Sequence, residues 1–276
     1  MLPFIFRKLF QKNKVTIVLY HDLSISNAVY QFESLKIKYN FISLSDFLRY
    51  KKDPSKNSLP EYPLIITFDD GRKGNYELLP IILANNIPVT IFLCSGIVAT
   101  NKGFWFNNIS QKEDRHLKRI KDEARLRILS EKYNFNENQN LEDRQALSFD
   151  EISEMMPYIK FQSHTIYHSI LSQCSDEKAK FEICNSKLEL ENKFGIKINA
   201  IAFPNGNYTE REISYAKNSG YDCALTVDFG FNDVSTDPYR LKRICLSDNS
   251  SVDELIVKVS GVWGFFKSLF KFNLSI

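Results

Sequence analysis

Short apolar runs alternate with amphipathic stretches along this chain, and the alternation predicts an α/β fold. Three mostly apolar runs predict strands at 15–20, 64–68 and 89–93. Residues 76–85 have a helical pattern between the second and third of these strands, and Pro88 marks the turn that follows. Strands separated by helices in this way are typical of a parallel sheet built from crossover units.

The caps of several later helices are also visible in the sequence. Ser148 and Thr209 each stand three residues before a glutamate, which is the pattern of a capping box. Ser175 is followed by two acidic residues and predicts a helix that ends at Gly195. A further strand is predicted at 221–227. These elements continue the alternation of strand and helix toward the end of the chain.

Residues 101–147 interrupt this alternation, because they are charged, rich in asparagine and poor in strand signals. A helical pattern covers 111–133. We interpret 101–147 as a helical insertion between two core units rather than as a separate domain. The predicted organisation is one domain at 15–250 that carries this insertion, with an aromatic and basic segment before it at 1–14 and another after it at 251–276.

The composition excludes several classes of protein. With 276 residues, of which 43% are hydrophobic and 25% charged, the chain is long enough to bury a core and is neither disordered nor collagen-like. Its formal net charge of +3 is small and spread along the sequence, so we expect no nucleic-acid partner. The densest basic stretch, 115–127, also holds acidic residues and indicates a solvated helix face that includes His116.

Cysteine usage and the two ends of the chain bear on location. The five cysteines form no Cys-x-x-Cys motif, which is typical of reduced, mostly buried thiols. The first ten residues lack the pattern of a signal peptide, and no apolar run reaches the roughly 18 residues of a spanning helix, so we expect a cytoplasmic protein. The segments 1–14 and 251–276 either make a peripheral contact with the inner face of the membrane or pack on the body of the protein.

Two motifs contain residue types that bind metal ions. Asp69 and Asp70 follow a predicted strand, and catalytic groups gather at the carboxyl ends of strands in α/β barrels. His164 and His168 are four residues apart, so on a helical turn both imidazoles would project from one side. With one carboxylate they would form a two-histidine, one-carboxylate site for zinc or a similar divalent ion. Taken singly, an acidic turn explains the first motif and chance spacing explains the second.

A third motif is the turn at 202–206, which contains Pro204, Asn205 and Gly206. A rigid turn after a short apolar run can present backbone N–H groups to an oxyanion. Alone, this motif is also explained by an ordinary turn. The three motifs gain specificity only from their combination and their order along the chain.

In that order, the motifs resemble those of the polysaccharide deacetylases with a NodB-homology domain, carbohydrate esterase family 4. The segments 67–71, 164–168 and 203–206 match the family's three motifs, and the resemblance covers most of residues 15–248. It implies an incomplete (β/α) barrel. It also implies removal of N-acetyl groups from amino sugars with one bound divalent metal, zinc first, with cobalt, nickel or manganese as alternatives.

Carried over by position, the resemblance implies that Asp70, His164 and His168 are the metal ligands. It implies that Asp69 is the general base that takes a proton from metal-bound water. No histidine follows His168, although many family members place the general acid near the C-terminus. His21, in the segment Tyr-His-Asp, resembles the acid of the exopolysaccharide-deacetylase branch. The alternative for His21 is a structural, hydrogen-bonded histidine.

The third motif departs from the usual family pattern. The resemblance implies that the backbone N–H of Asn205, which follows Pro204, stabilises the oxyanion. The family commonly has an arginine and a tyrosine where this chain has Ala202 and Asn205, although alanine is typical of the exopolysaccharide branch. We expect Arg243 to orient the general base in place of the missing arginine. A surface salt bridge is the alternative for Arg243.

These observations favour a metal-dependent N-deacetylase that acts on an amino sugar of a cell-envelope polysaccharide or of its lipid-linked or nucleotide-linked precursor. One alternative is a catalytically silent glycan-binding module on the same fold. Another is a hydrolase of the same superfamily that removes a formyl group or opens a cyclic amide. A non-haem iron oxygenase shares the ligand count, but those enzymes usually hold the ligands on antiparallel strands, which the pattern here disfavours.

Overall fold

Eight parallel strands form the centre of the fold. A computed structural model describes residues 2–107 and 109–270, the last three as backbone only. The strands are β1 (Thr16–Tyr20), β2 (Asn40–Phe41), β3 (Pro63–Phe68), β4 (Val89–Leu93), β5 (Lys160–Ser163), β6 (Ala200–Ala202), β7 (Cys223–Leu225) and β8 (Ile244–Cys245). They pair in the order β7-β6-β5-β4-β3-β1-β8, and β2 also pairs with β3.

Helices connect these strands. The α-helices are α1 (Leu2–Phe10), α2 (Ile25–Lys36), α3 (Leu44–Lys52), α4 (Leu79–Ala84), α5 (Gln111–Leu117), α6 (Asp122–Tyr133), α7 (Phe149–Met155), α8 (Asp176–Phe194), α9 (Glu210–Asn218), α10 (Val252–Val259) and α11 (Val262–Phe270). Short 3₁₀ turns occur at Lys73–Leu78, Leu171–Gln173, Pro204–Gly206 and Pro238–Arg240. Within the described part of the chain, no helix is both long and apolar enough to span a bilayer.

The sheet curls into the incomplete barrel that the family resemblance implied. Its two ends are joined through the segment 241–245, where Leu241 forms a parallel bridge with Leu225 and Ile244 pairs with Val18. This joint is short and interrupted, because only a few backbone pairs connect the last strands. The fold class predicted from the alternation of apolar runs is therefore confirmed.

The longer strands β1, β3 and β4 are buried on both faces, and this explains why their sequences are continuous apolar runs rather than alternating ones. Alternate residues contribute to two different clusters. Val18 packs in the larger cluster, together with residues of α2, α8 and α9, whereas Ile17 packs on the opposite face with Phe47 of α3. Free cysteine thiols are buried in both clusters, namely Cys94 and Cys174 in the first and Cys223 in the second.

Parallel pairing brings the carboxyl ends of neighbouring strands to one edge of the sheet. Tyr20 of β1 is in register with Phe68 of β3, and Phe68 is in register with Ile91 of β4. Further along the sheet, Leu93 is in register with Ser163 of β5. Side chains that directly follow β1, β3 and β5 are therefore placed close together, although more than 140 residues of sequence separate the first from the last.

The caps read from the sequence are present. Ser148 and Thr209 both form capping boxes with the glutamates three residues later. The Ser175 side chain caps α8, and Gly195 ends that helix in the left-handed conformation. The strands predicted at 15–20, 64–68 and 89–93 agree with β1, β3 and β4 to within a residue or two. Local hydrogen-bonding chemistry thus determines these boundaries.

Three predicted elements need correction. The helix expected at 76–85 begins as a 3₁₀ turn and becomes α-helical at Leu79, because Pro80 supports only the first turn of an α-helix. The helical region expected at 111–133 is divided into α5 and α6. The strand expected at 221–227 is limited to Cys223–Leu225. β2, β5 and β8 were not predicted, since they are only two to four residues long and carry no extended apolar run.

Gly206, in the turn after β6, and Gly195, at the end of α8, both have a left-handed backbone. A comparison of the two tests how tightly the turn after β6 is packed. A Cβ added at Gly195 (φ +65°) would meet only open space, whereas a Cβ at Gly206 (φ +69°) would lie 2.1 Å from Val227 Cγ2. We expect Gly195→Ala to lower the free energy of unfolding by about 1–2 kcal/mol, the cost of the backbone conformation alone. Gly206→Ala should cost about 1–3 kcal/mol more, because Val227 must also be displaced. Urea unfolding of both variants measures the difference, and equal losses would contradict the tight packing.

Candidate metal and catalytic site

Asp69 and Asp70 lie where β3 ends and the chain turns. The Asp69 N–H still donates to the Tyr20 carbonyl at 3.0 Å and so continues the pairing with β1. Asp70 and Gly71 then adopt positive φ values of 73° and 72°, which reverse the chain direction. A Cβ on Gly71 would lie 2.5 Å from Leu93 Cδ2, so the turn is held against β4. Both carboxylates are consequently buried at the carboxyl edge of the sheet.

His164 and His168 lie in an irregular loop after β5, and the expectation that they share a helical turn is wrong. Thr165 and His168 have positive φ values of 66° and 57°, which exclude a helix over these residues. The loop nevertheless brings the two imidazole rings together, with their centroids 4.9 Å apart. The two histidines are therefore close together, as their four-residue spacing suggested, but an irregular loop rather than a helical turn brings them together.

A buried carboxylate on α8 holds this histidine loop. Glu182 Oε2 accepts hydrogen bonds from the Ile166 and Tyr167 N–H groups at 2.8 and 3.1 Å, and its Oε1 accepts the Ser169 hydroxyl at 2.9 Å. The backbone N–H groups of Ile166 and Tyr167 thus have a hydrogen-bond acceptor inside the protein. The sequence contained a signal for Glu182, because it falls on the same helical face as the buried Ala179.

Asp70, His164 and His168 form a group of donor atoms that could hold a metal ion, since one donor atom from each lies within 4.8 Å of the others. Asp70 Oδ1 is 3.6 Å from His164 Nε2 and 3.5 Å from His168 Nε2. This oxygen is buried and has no hydrogen-bond partner among the described residues. A buried carboxylate oxygen facing two imidazole nitrogens fits a divalent ion such as zinc.

The neighbours of these three residues favour metal binding. His164 Nδ1 is 2.8 Å from the Ala202 carbonyl, so the proton belongs on Nδ1 and Nε2 is free to ligate. Burial lowers the pKa of His168 to about 3, and its imidazole is therefore neutral at neutral pH. Arg72 Nε donates to Asp70 Oδ2 at 3.1 Å, which leaves Oδ1 to face the histidines.

Asp69 has a different partner. Arg243 Nη1 and Nη2 donate to Asp69 Oδ1 and Oδ2 at 2.7 and 2.8 Å, in a two-pronged contact. Arg243 is 1% exposed, so the alternative of a surface salt bridge is wrong. Burial alone would raise the pKa of Asp69, but the charge and hydrogen bonds of Arg243, together with the charges of His164 and His21, outweigh burial and hold the pKa below its ordinary value. The Asp69 carboxylate is therefore ionised at neutral pH.

A cavity of about 480 Å³ opens above these groups, and its walls include His21 and Asn205. The backbone of His21 is held by the Asn75 side chain, which donates to the His21 carbonyl at 2.8 Å. Asn205 is exposed and has a left-handed backbone with a φ of 55°. Pro204 is buried within the same turn and does not belong to the described lining of the cavity.

Other lining residues were not identified from the sequence. They include Arg72, Phe106, Lys118 and Asp248. Arg72 follows the Asp-Asp-Gly motif directly, and a cation next to strand-end carboxylates was an available signal. Phe106 and Lys118 belong to the segment 101–147, and the Phe106 ring centroid is 4.7 Å from that of His168. That segment therefore forms part of the cavity wall.

The incomplete parallel barrel with an Asp-His-His group at its carboxyl edge places this protein in the class of α/β barrels with a candidate metal site. Residues 56–224 match the family model for polysaccharide deacetylase, and the chain belongs to that family. The resemblance read from the three motifs is thereby confirmed.

Individual relatives agree with this assignment. YxkH of Bacillus subtilis (strain 168), a protein classed with the polysaccharide deacetylases, is 23% identical over 248 residues, which cover 86% of this chain and 73% of YxkH. Similar solved structures include Streptococcus pyogenes deacetylase PplD in complex with acetate, at 19% identity and a TM-score of 0.63, covering 90% of this chain and 99% of PplD. IcaB from Ammonifex degensii has 16% identity and a TM-score of 0.65, covering 91% of this chain and 99% of IcaB.

Metal content provides a direct test of the ligand group. After reconstitution with zinc and removal of excess ion, we expect about one ion per chain in the wild type and a loss of that ion in His164→Ala. His116→Ala is the matched control, because His116 is exposed on α5. Mass spectrometry of the purified proteins measures the ratio. An absence of bound ion in the wild type, or equal loss in both variants, contradicts the assignment.

Proposed function

We propose that this protein is a metal-dependent N-deacetylase that acts on an N-acetylated amino sugar of a cell-envelope polysaccharide or its precursor. One observation carries the proposal. Two adjacent buried carboxylates have different main partners: Asp69 is bound by Arg243, whereas Asp70 faces both His164 and His168. His164 Nε2 lies between them, 3.7 Å from Asp69 Oδ2 and 3.6 Å from Asp70 Oδ1. A general base and a metal ligand are needed side by side in metal-assisted amide hydrolysis, and this arrangement supplies both.

The metal ion, for which zinc is the first candidate, would be held by Asp70, His164 and His168. When bound, it supplies Lewis-acid polarisation of the amide carbonyl. Asp69 accepts a proton from the attacking water, because its ionised carboxylate lies against the same cavity. The backbone N–H of Asn205 donates to the oxygen that gains negative charge.

His21 donates a proton to the departing amine. It lies on the cavity wall at the end of β1, across the sheet edge from the carboxylates. Departure of an amine from a tetrahedral carbon requires protonation, and imidazole is the side chain best suited to this near neutral pH. No later histidine than His168 exists in the sequence to take this role.

The substrate in this proposal is a lipid-linked or nucleotide-linked glycan precursor on the cytoplasmic side of the inner membrane. The free cysteine thiols support a reducing compartment. Arg72 and Lys118 place two cations on the cavity wall, where a phosphate-bearing substrate would meet them. The solved relative PplD is named a deacetylase and was solved in complex with acetate, which supports release of acetate.

Acetate release tests the proposed function. With N-acetylated amino-sugar oligosaccharides as substrates, the zinc-loaded wild type should release acetate and the chelated protein should not. Asp69→Asn and His21→Ala should each lower kcat by about 10²–10⁴-fold, the range for loss of a general base or acid. Enzymatic acetate determination gives the rates, with His116→Ala as the unaffected control.

Three outcomes of this experiment contradict the proposal. Binding of the oligosaccharide without turnover would indicate a silent glycan-binding module. Release of formate from the N-formyl sugar, with none from the N-acetyl sugar, would indicate a deformylase. Full activity after thorough chelation would exclude the metal-dependent mechanism. An unchanged rate in His21→Ala, by contrast, would remove only the assignment of His21 as the acid.

The pH profile tests whether Arg243 positions and ionises Asp69. An opposite charge in contact lowers a carboxyl pKa by about 1–3 units, so Arg243→Lys, which loses the two-pronged contact, should raise the pKa of Asp69. The base is active when ionised, and the acidic limb of kcat/KM should therefore move to higher pH. A merely structural effect would lower kcat/KM at every pH and leave the position of the limb unchanged.

A further inference from the structure

The helices at the two ends of the chain, α1 and α11, lie against each other. The ring centroids of Phe6 and Phe265 are 5.1 Å apart. Arg7 fixes α1 to the body, because its guanidinium lies 4.1 Å from the Tyr62 ring centroid and donates to the Lys38 carbonyl. The sequence left open whether these segments pack on the body or meet a membrane, and packing of α1 on the body does not bury its outer face.

That outer face is strongly apolar. Phe4 is 60% exposed and Leu9 is 68% exposed on α1, and Trp263 is 54% exposed on the adjoining α11. Phe10 is exposed next to them. We call these four residues, together with Lys8, the terminal surface. Large side chains concentrated in this way on two neighbouring helices are characteristic of an interaction surface rather than of scattered exposure.

Charge separates this surface from the rest of the protein. Residues 1–14 and 261–276 contain six lysines and arginines and no acidic residue. Since the whole chain has a formal net charge of +3, the remaining residues carry a net charge of −3. The rest of the chain is therefore mildly acidic in sum, whereas the stretches 1–14 and 261–276 carry only basic charges. A partner that attracts these segments is itself anionic.

We propose that the terminal surface docks on an anionic lipid bilayer. Exposed aromatic and aliphatic side chains enter the boundary between headgroups and acyl chains, and neighbouring lysines meet the negative headgroups. The charge pattern orients the molecule, because the acidic body is repelled by the same headgroups. A second copy of this chain would bring two basic surfaces together, which is why the bilayer is the favoured occupant.

The terminal surface also adjoins the catalytic cavity. A second cavity of about 630 Å³ is lined by Trp263 and Lys267, and it shares Val227 and Cys245 with the cavity above Asp69. A substrate anchored in the bilayer would thus have a route from the docking surface to the carboxylates. This step rests on the proposed function, whereas bilayer docking itself does not.

Vesicle flotation tests the docking, with the full chain and vesicles of phosphatidylglycerol and phosphatidylcholine. We expect binding to these anionic vesicles, weak binding to pure phosphatidylcholine, and weaker binding at high salt. The triple variant Phe4→Ser, Lys8→Gln, Leu9→Ser should reduce the partition coefficient at least about tenfold.

The matched control is Phe181→Ser, Lys180→Gln, Leu188→Ser, which removes the same residue types from the exposed face of α8. It should leave vesicle binding unchanged, and thermal unfolding verifies that both triple variants fold. The proposal is overturned if the wild type ignores anionic vesicles, or if both triple variants lose binding equally. A dimer in sedimentation that the α1 variant dissociates, without vesicle binding, would also overturn it in favour of self-association.

Acetate release from a soluble oligosaccharide separates the two proposals. The α1 triple variant should keep the wild-type rate, because none of its residues lies at the catalytic cavity. Vesicle binding with no acetate release would leave docking standing and reject the proposed function. Acetate release without vesicle binding would support the proposed function and reject docking.

Discussion

The buried ion pair between Asp69 and Arg243 is the interaction on which the site depends. Asp69 follows β3, and Arg243 lies in the short segment 241–245 that joins the two ends of the sheet. Loss of one partner from such a pair leaves an uncompensated buried charge, which typically costs about 3–5 kcal/mol. Closure of the barrel and ionisation of the candidate base are therefore achieved by the same contact. The contact that holds Asp69 therefore also ties the segment 241–245 to the end of β3.

Different partners also explain how the adjacent carboxylates of Asp69 and Asp70 remain ionised although both are buried. Asp69 has the guanidinium of Arg243, and Asp70 has that of Arg72 on one oxygen and two imidazoles near the other. Asp70 Oδ1 faces both imidazoles, whereas both Asp69 oxygens accept from Arg243 and Asp69 Oδ2 also lies 3.7 Å from His164 Nε2. This difference in partners is the basis of the roles proposed for them, proton transfer for Asp69 and metal ligation for Asp70.

The sequence predicted the parts of this structure that depend on local patterns. Long apolar strands and side-chain caps such as Ser148 were recognised, because their hydrogen bonds and burial follow from nearby residues. The three motifs also identified the residues that the fold brings together. The left-handed backbone of the histidine loop was missed, since no residue-type pattern requires it there. Arg243 was named only as an expectation, because a contact across 174 positions leaves no periodic signal.

Glu182 affects how ion binding would be related to folding. Its three hydrogen bonds fix the loop that carries both histidines, and they do so entirely within the protein. In many small metal-binding domains the ion itself organises the ligands, so its binding energy is folding energy. Here hydrogen bonds within the protein hold the histidine loop, so the proposed ligands would be in position before an ion binds. Loss of the ion would then leave a folded chain rather than unfold it.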